Sequence, residues 1–245
     1  MDRVLVLQSY REPVVSGWLG VCAASVREWC AEQGYAYKYV DDALFARLPA
    51  WYREKTGERT PIAADLARLL WISDELAAGN ADIVAWVDVD TLVLNPSELL
   101  VSAATSCVFG QEFWVQAVSS KKGYKVRRNV HNAYCAFRPD CPILPFLIEA
   151  VQRMVRRVDA QYMAPQFVGP KLLTHLHNTV GFELDPHFGA LSPELVDALL
   201  AGDAVPWQQL EKNMPVPLMA ANLCSSLQSG DEGKMLRVID GLKMR

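Results

Sequence analysis

The sequence predicts an α/β fold built on a parallel sheet. Its opening alternates an apolar strand at 4–7, an amphipathic helix at 16–33 and a second strand at 35–40. A strand, a helix and a further strand in this order are typical of a parallel sheet. A second helix and a buried strand follow at 60–78 and 81–87, which continues the same alternation.

The first helix is predicted from apolar residues at helical spacing, with Trp18, Val21 and Cys22 on one face. Gly34 ends it, because glycine adopts the left-handed conformation that closes many helices. Polar residues follow the first strand at Gln8. Open α/β sheets bind ligands at the carboxyl ends of their strands, so this turn is either a binding segment or an ordinary loop.

The second helix is predicted to begin at Thr60, as N-cap, followed by Pro61 at its first position. The preceding residues, 41–59, are polar and irregular. Asp65 and Arg68 are three residues apart within this helix and therefore share a face. They form either a surface ion pair, which contributes little stability, or part of a binding site.

The central feature of the chain is a pair of carboxylates at the end of a buried strand. The apolar run 81–87 is followed by Asp88-Val89-Asp90, a second apolar run and the turn Asn95-Pro96. Two adjacent buried carboxylates are costly unless a cation or hydrogen bonds compensate them. Their oxygens suit Mg²⁺ or Mn²⁺, which often bridge phosphates. The alternatives are a metal-diphosphate site and a strand end with two solvated acids.

The remaining elements are predicted from shorter patterns. We expect helices at 96–104 and 141–158, strands at 106–110 and 131–137, and an irregular basic segment at 111–129. The basic segment, which contains Lys121, Lys122, Lys125, Arg127 and Arg128, either meets an anionic substrate or is a solvated loop. Gly169-Pro170 begins a helix that ends near Asn178. A strand at 181–184, a helix from Ser192 and a weakly patterned tail follow.

Composition limits the possible classes. A chain of 245 residues favours one large domain, and a net charge of −4 argues against a general nucleic-acid binder. No apolar run is long enough to span a bilayer, and the N-terminus lacks the pattern of a signal peptide. The six cysteines form no Cys-x-x-Cys pair and the four histidines no zinc-binding spacing. We therefore expect reduced thiols and a cytoplasmic protein.

Three segments carry a resemblance to a known family. They are Ala64-Asp65-Leu66-Ala67-Arg68, Val87-Asp88-Val89-Asp90 and the stretch from Phe167 through Gly169-Pro170 to Thr174. In this order they resemble retaining glycosyltransferases of the GT-A fold. The closest likeness is to the group with a sugar-binding region that contains the DXD motif. That group includes the Och1-like yeast mannosyltransferases and capsular polysaccharide glycosyltransferases, and is related to the catalytic domains of large clostridial toxins.

The resemblance implies a mostly parallel central sheet flanked by helices and a role for each matched residue. Asp90 would bind the divalent metal directly, and Asp88 would hold the donor ribose and support the metal through water. Asp65 and Arg68 would bind hydroxyls of the donor sugar. The further implied contacts are the nucleoside pocket at Gln8, Ser9 and Tyr10, and the transferred sugar at Gly169 and Pro170.

The C-terminal part departs from the family pattern. The family has an acidic residue or histidine on the metal, followed by a serine and a tryptophan; this chain has Asn222, Ser225 and Leu227. Asparagine and serine would ligate a hard cation through oxygen. The missing charge weakens the implied metal site, and the missing tryptophan removes the side chain that would close over the donor.

The implied activity is metal-dependent transfer of a hexose, with Mn²⁺ or Mg²⁺, from a nucleotide-diphosphate sugar to a hydroxyl acceptor. A UDP-sugar is favoured over a GDP-sugar, and the acceptor is a glycan, a lipid-linked molecule, a small molecule or a protein. We expect 1–110 to bind the donor and 111–245 to form the acceptor side and tail. The alternatives are a non-catalytic sugar-nucleotide or glycan-binding protein and, ranked lower because no Gly-rich phosphate loop follows the first strand, a nucleotidyltransferase.

Overall fold

The computed structural model describes residues 2–11, 15–118, 123–164, 167–227 and 231–245. Its strands are β1 (Val4–Ser9), β2 (Ala36–Val40), β3 (Ile83–Val87), β4 (Thr91–Val93), β5 (Cys107–Ala117), β6 (Tyr124–Phe137), β7 (Glu183–Asp185), β8 (Phe188–Ala190) and β9 (Ala220–Asn222). Its α-helices are α1 (Gly17–Gln33), α2 (Ala50–Thr56), α3 (Thr60–Ala77), α4 (Ile143–Arg157), α5 (Pro170–Val180), α6 (Pro193–Ala201), α7 (Ala204–Asn213) and α8 (Glu232–Lys243).

The main sheet has the strand order β2-β1-β3-β6-β5-β7 over the described residues. β1 is parallel to both β2 and β3, and β5 is parallel to β7. β6 is antiparallel to its two neighbours, β3 and β5. The remaining strands therefore run in one direction, and the predicted α/β class with a mostly parallel sheet is confirmed.

Helices cover both faces of this sheet because side chains alternate along each strand. Leu5 and Leu7 of β1 pack on one face with residues of α3 and α4. Val4 and Val6 pack on the other face with Trp29 of α1. This arrangement buries the apolar strands on both sides and leaves their carboxyl ends available for a site.

A second sheet, ordered β4-β9-β8, brings the end of the chain back to the Asp88/Asp90 turn. β4 pairs antiparallel with β9, and Thr91 lies opposite Asn222. Helices α6, α7 and α8 pack on this sheet around a third apolar cluster that includes Leu92, Ala221 and Leu223. The tail that looked weakly patterned in sequence is therefore ordered structure at the site.

Two sequence predictions are wrong in this part of the chain. No helix forms at 96–104; Leu99, Val101 and Ala103 are buried at every second residue, which is a strand-like period. The irregular segment predicted at 111–129 is instead a β-hairpin of β5 and β6. Alternating burial of Phe113 and Val115 explains it, and the hairpin tip, with Lys121 and Lys122, lies outside the described residues.

Residues 41–59, expected to be irregular, contain a 3₁₀ helix (Asp42–Arg47) and α2. Tyr52 of α2 is fully buried, and its hydroxyl donates to the carbonyl of Ile62. Thr60 is the first helical residue of α3 rather than its N-cap, which is Arg59. Within the described residues, no helix is long and apolar enough to cross a membrane.

Candidate functional site

A cavity of about 640 Å³ lies where the carboxyl ends of β1 and β3 meet the β4-β9-β8 sheet. Of the residues predicted for the site, it is lined by Ser9, Tyr10, Arg68, Asp88, Asp90, Pro170, Asn222 and Ser225. Gln8, Asp65 and Gly169 are not on its wall. A larger groove of about 820 Å³ lies beside α7 and contains none of the predicted residues. The smaller cavity, which holds most of the predicted residues, is therefore the candidate site.

Asp88 lies directly after β3 and is held from two sides. Its Oδ1 accepts a hydrogen bond of 2.5 Å from Nε1 of Trp86 and lies 3.2 Å from Nη1 of Arg68. The Arg68 guanidinium also lies over the Trp86 ring, 5.1 Å from its centroid. Burial raises the pKa of Asp88, and the positive charge of Arg68 opposes this rise. The carboxylate is thus fixed in direction, with 28% of the side chain still exposed.

Asp90 is more deeply buried, at 7% exposure, and its carboxylate is held by N–H groups. Oδ1 accepts from Nδ2 of Asn222 at 2.6 Å, and Oδ2 accepts from the backbone N–H of Ser225 at 2.8 Å. Among the described residues, no lysine or arginine forms an ion pair with Asp90. A buried carboxylate without a cationic partner is the kind of group that a bound metal ion compensates.

The predicted metal residues Asn222 and Ser225 are therefore both beside Asp90, but they contact it through nitrogen. The Oδ1 atom of Asn222 accepts from the backbone N–H of Cys224 at 2.9 Å, which orients the amide group. Leu227, at the position where the resemblance expects tryptophan, is 50% exposed and lines the cavity.

Asp65 and Arg68 form a buried pair, each with 7% exposure. Nη2 of Arg68 lies 3.5 Å from Oδ1 of Asp65, which also accepts a 2.7 Å hydrogen bond from Nδ2 of Asn132. The surface ion pair considered from sequence is thereby excluded. Burial raises the pKa of Asp65 to about 6, against the opposing effects of Arg68 and Asn132.

The position of residue 169, beside the Asp65/Arg68 pair, has room only for a glycine. A Cβ at residue 169 would lie 2.7 Å from Oδ2 of Asp65, closer than real contacts allow. Pro170 begins α5 directly after it and lines the cavity. The Gly-Pro helix start and the Asp65/Arg68 helix are therefore in contact.

Gln8, Ser9 and Tyr10, at the carboxyl end of β1, have different positions. Gln8 is fully buried; its Oε1 accepts from the Tyr37 hydroxyl at 3.0 Å and its Nε2 donates to the Asp88 carbonyl at 3.3 Å. It supports the Asp88 backbone rather than lining the predicted nucleoside pocket. Ser9 and Tyr10 do line the cavity, next to Phe45.

On β5 and β6, sequence reasoning missed four polar or aromatic residues of the cavity wall: Glu112, Trp114, His131 and Asn132. They lie on β5 and β6, within or next to the segment that was interpreted as an irregular loop. The available signal was the alternation of 112–115, in which polar Glu112 and amphipathic Trp114 flank buried Phe113.

Comparison with known proteins gives a likeness of structure alone. No family model and no curated protein sequence matches the chain. A glycosyltransferase involved in the glycosylation of the major capsid of PBCV-1 has a solved structure similar to this one, with a TM-score of 0.50, 12% identity and coverage of 99% of this chain and 100% of that one. The chain has a GT-A glycosyltransferase fold.

Two other solved structures match with lower TM-scores. Mouse xyloside xylosyltransferase 1 matches with a TM-score of 0.48 and 9% identity over 93% of this chain and 99% of that one. An active-site mutant of LgtC matches with a TM-score of 0.45 and 13% identity over 97% and 95%.

The side chains at the turn between β3 and β4 are compatible with a hard divalent cation. Asp88 and Asp90 provide two carboxylates, and Asp90 has no cationic partner among the described residues. Those residues contain no group of three or more histidine, cysteine or acidic side chains that could hold a metal. A cation here would therefore take its remaining ligands from neutral oxygens, water and a diphosphate, as Mg²⁺ commonly does.

Proposed function

We propose that this protein is a metal-dependent retaining glycosyltransferase. It would move a hexose from a nucleotide-diphosphate sugar, with UDP favoured over GDP, to a hydroxyl acceptor. The observation that carries the proposal is that Asp88, Asp90 and Arg68 line one cavity, while Asp90 lacks a cationic partner among the described residues. Mn²⁺ or Mg²⁺ bound there would neutralise the diphosphate and stabilise it as a leaving group.

Each proposed donor residue has a role that fits its position. Asp88 and Asp90 would hold the metal, with Asn222 and Ser225 orienting the Asp90 carboxylate or ligating through oxygen after a shift. Ser9 and Tyr10 would contact the nucleoside. Arg68 and Pro170, which line the cavity, would contact the donor sugar, and Asp65 and Gly169, which do not line it, would hold them in position.

The reaction would exchange one bond at the anomeric carbon for another. The bond from that carbon to the diphosphate oxygen breaks, and the acceptor oxygen bonds to the same face of the sugar. The acceptor proton goes to the departing diphosphate oxygen, so the step is balanced without an enzyme base. Arg68 and the N–H groups around Asp90 would keep the two aspartates directed at the cavity.

We further propose that 1–245 acts as a single domain, with 1–110 as the donor half and 111–245 as the acceptor side and tail. The contact of β4 with β9 supports this, because it joins the two halves at the site. The cysteines at 22, 30, 107, 135, 141 and 224 are all free, which fits the expected reducing, cytoplasmic environment.

Thermal shift with UDP, GDP, CDP and ADP, each with Mn²⁺ or with EDTA, tests donor binding. A ligand that binds only the folded state raises its Tm. We expect stabilisation by one nucleotide that requires Mn²⁺ and is lost in Asp90→Asn. Asp140→Asn, at an exposed turn distant in sequence, is the matched control and should behave as the parent chain. Metal-independent binding, or unchanged turnover in Asp90→Asn, would refute the metal assignment.

A second candidate is a non-catalytic sugar-nucleotide or glycan-binding protein. The observation that favours it is that both Asp90 oxygens are engaged by Asn222 and Ser225, without a third acidic ligand among the described residues. Such a protein would bind the donor but release no nucleotide from any UDP- or GDP-sugar at any Mn²⁺ concentration. Nucleotide release in that assay would exclude it.

A further inference from the structure

One wall of the cavity belongs to neither the predicted donor residues nor the two aspartates. It is the face of the β5–β6 hairpin that carries Glu112 and Trp114, two residues apart on β5. Residues two apart on a strand point to the same side. Phe113 and Val115, which alternate with them, are buried in the core below. Because side chains alternate along β5, the charged and the aromatic side chain both lie on the cavity side of the hairpin.

Glu112 is a half-buried carboxylate with spare capacity for hydrogen bonds. Its Oε1 accepts a 2.6 Å hydrogen bond from Nδ2 of Asn129, which lies directly opposite on β6. Within the described ranges, it forms no ion pair with a lysine or arginine. An ionised carboxylate has about four acceptor positions, so Glu112 retains acceptors for ligand hydroxyls.

His131 contributes a second acceptor on the same wall. Its Nε2 lies 2.8 Å from the carbonyl oxygen of Phe188, and because a carbonyl only accepts, Nε2 carries the proton. Nδ1 is then an acceptor in the neutral ring, and it is buried without a partner in the described part of the chain. Burial lowers the pKa of His131, which keeps the ring neutral.

Gly110 makes room for this ring. A Cβ at residue 110 would clash with Nε2 of His131. The register of β5 against β6 also shifts between Phe109 and Gly110. Residues 132–134 of β6 therefore have no partner on β5. The position of His131 on the cavity wall thus depends on a glycine and a bulge together.

We propose that Glu112, Trp114 and His131 form the acceptor subsite, and that the acceptor is an uncharged saccharide. Trp114 would pack against the apolar face of a sugar ring, and Glu112 and His131 would accept hydrogen bonds from its hydroxyls. The negative charge of the half-buried Glu112 beside the ring disfavours an anionic acceptor. The assignment of this saccharide as the acceptor rests on the proposed function. The saccharide site itself is inferred from Glu112, Trp114 and His131.

The basic segment predicted from sequence gives the competing expectation of an anionic acceptor. Lys125 and Arg127 are exposed on β6, and Arg127 lies opposite Trp114 toward the hairpin tip. They are absent from the cavity wall, whereas Glu112 is on it. The location of the charges therefore favours a neutral ring in the cavity.

Ligand-observed NMR with the full chain tests the proposal. The probes are cellotriose, mannotriose and lactose as neutral saccharides and a glucuronic acid trisaccharide as the anionic one, each with and without UDP and Mn²⁺. We expect saturation transfer to at least one neutral probe and about tenfold weaker binding, or more, in Trp114→Ala and Glu112→Gln. Gln116→Ala, on the same strand face but off the cavity wall, is the control and should bind as the parent chain does.

Nucleotide-dependent thermal shift of the same variants separates the two proposals. If UDP with Mn²⁺ stabilises the parent chain and both variants while no neutral saccharide binds, the acceptor subsite is refuted and the donor site stands. Preferred binding of the glucuronic acid probe, or unchanged affinity in both variants, also refutes it. Saccharide binding that depends on Trp114, without any nucleotide response, would retain the saccharide site and refute the proposed glycosyl transfer.

Discussion

The side-chain amide of Asn222 donates a 2.6 Å hydrogen bond to the carboxylate of Asp90, across a separation of 132 residues. The pairing of β4 with β9 creates this contact, because Thr91 and Asn222 lie opposite each other. The last strand of the small sheet therefore orients the second aspartate of the candidate metal site. A substitution at Asn222 is therefore expected to alter the orientation of the Asp90 carboxylate.

Asn222→Asp should strengthen metal binding and lower the stability of the metal-free protein. The substitution replaces the N–H donor with a carboxylate beside Asp90. Without a cation this lowers the free energy of unfolding by about 1–3 kcal/mol. With a bound cation the new carboxylate supplies a third charged ligand. We expect a lower Tm in EDTA and a larger rise in Tm on adding Mn²⁺. Asn213→Asp, at the end of α7, is the control. Equal Mn²⁺ responses in the parent chain and Asn222→Asp would contradict the assignment.

Asp65→Asn should stabilise the metal-free protein increasingly as pH rises. The pKa of Asp65 is raised from its ordinary value of 3.8 to about 6, so the folded state binds the extra proton more tightly than the unfolded chain. The resulting stabilisation is present below about pH 4 and is lost as pH rises through 6, a loss of about 3 kcal/mol. Asparagine does not titrate.

The measurement is denaturant unfolding of both proteins in EDTA from pH 4.5 to 7.5. The stability of Asp65→Asn relative to the parent chain should increase across this range, while donor binding by the variant falls. Parallel stability curves would show that burial does not perturb Asp65.

Gly169→Ala should impair donor binding through Asp65. The added Cβ would lie 2.7 Å from Oδ2 of Asp65, whose other oxygen is held by Asn132, so the carboxylate has little freedom to move away. We expect a loss of about 1–3 kcal/mol in stability, as for other overpacked sites, and a higher KM for the donor. Gly233→Ala in α8 is the matched control, since its Cβ would make only an ordinary contact with Asp231. If the KM of the variant for the donor equals that of the parent chain, Gly169 does not influence donor binding.

Trp86→Phe should release Asp88 while keeping an aromatic ring under Arg68. The substitution removes the Nε1–H group that donates to Oδ1 of Asp88, a hydrogen bond to a charged group worth about 1.5–3 kcal/mol. We expect a smaller thermal shift with nucleotide and Mn²⁺ and, because this hydrogen bond is lost, a Tm of the free protein several degrees below that of the parent chain. Titration calorimetry of UDP at saturating Mn²⁺ gives the affinity directly. If that affinity is unchanged, Trp86 does not orient Asp88 for binding.

Local sequence patterns were enough to predict the α/β class and the position of the two aspartates. Both depend on local patterns: the helical period of α1 and α3, the apolar run of β3, and the polar residues directly after it. Such patterns are set by which side of an element is buried, and they can be seen in one stretch of chain. The same reasoning placed Asp65 and Arg68 on one helix face, without showing whether that face is buried.

The contacts between residues distant in sequence became visible only in the folded structure. The burial of Asp65 depends on Asn132 and Gly169, and the contact of Asn222 with Asp90 depends on the register of β4 against β9. The wall at Glu112 and His131 depends on a hairpin and a bulge that the basic composition of 111–129 concealed. Strand pairing and register are set by the fit of the whole core, so residues far apart in sequence become neighbours only in the folded chain.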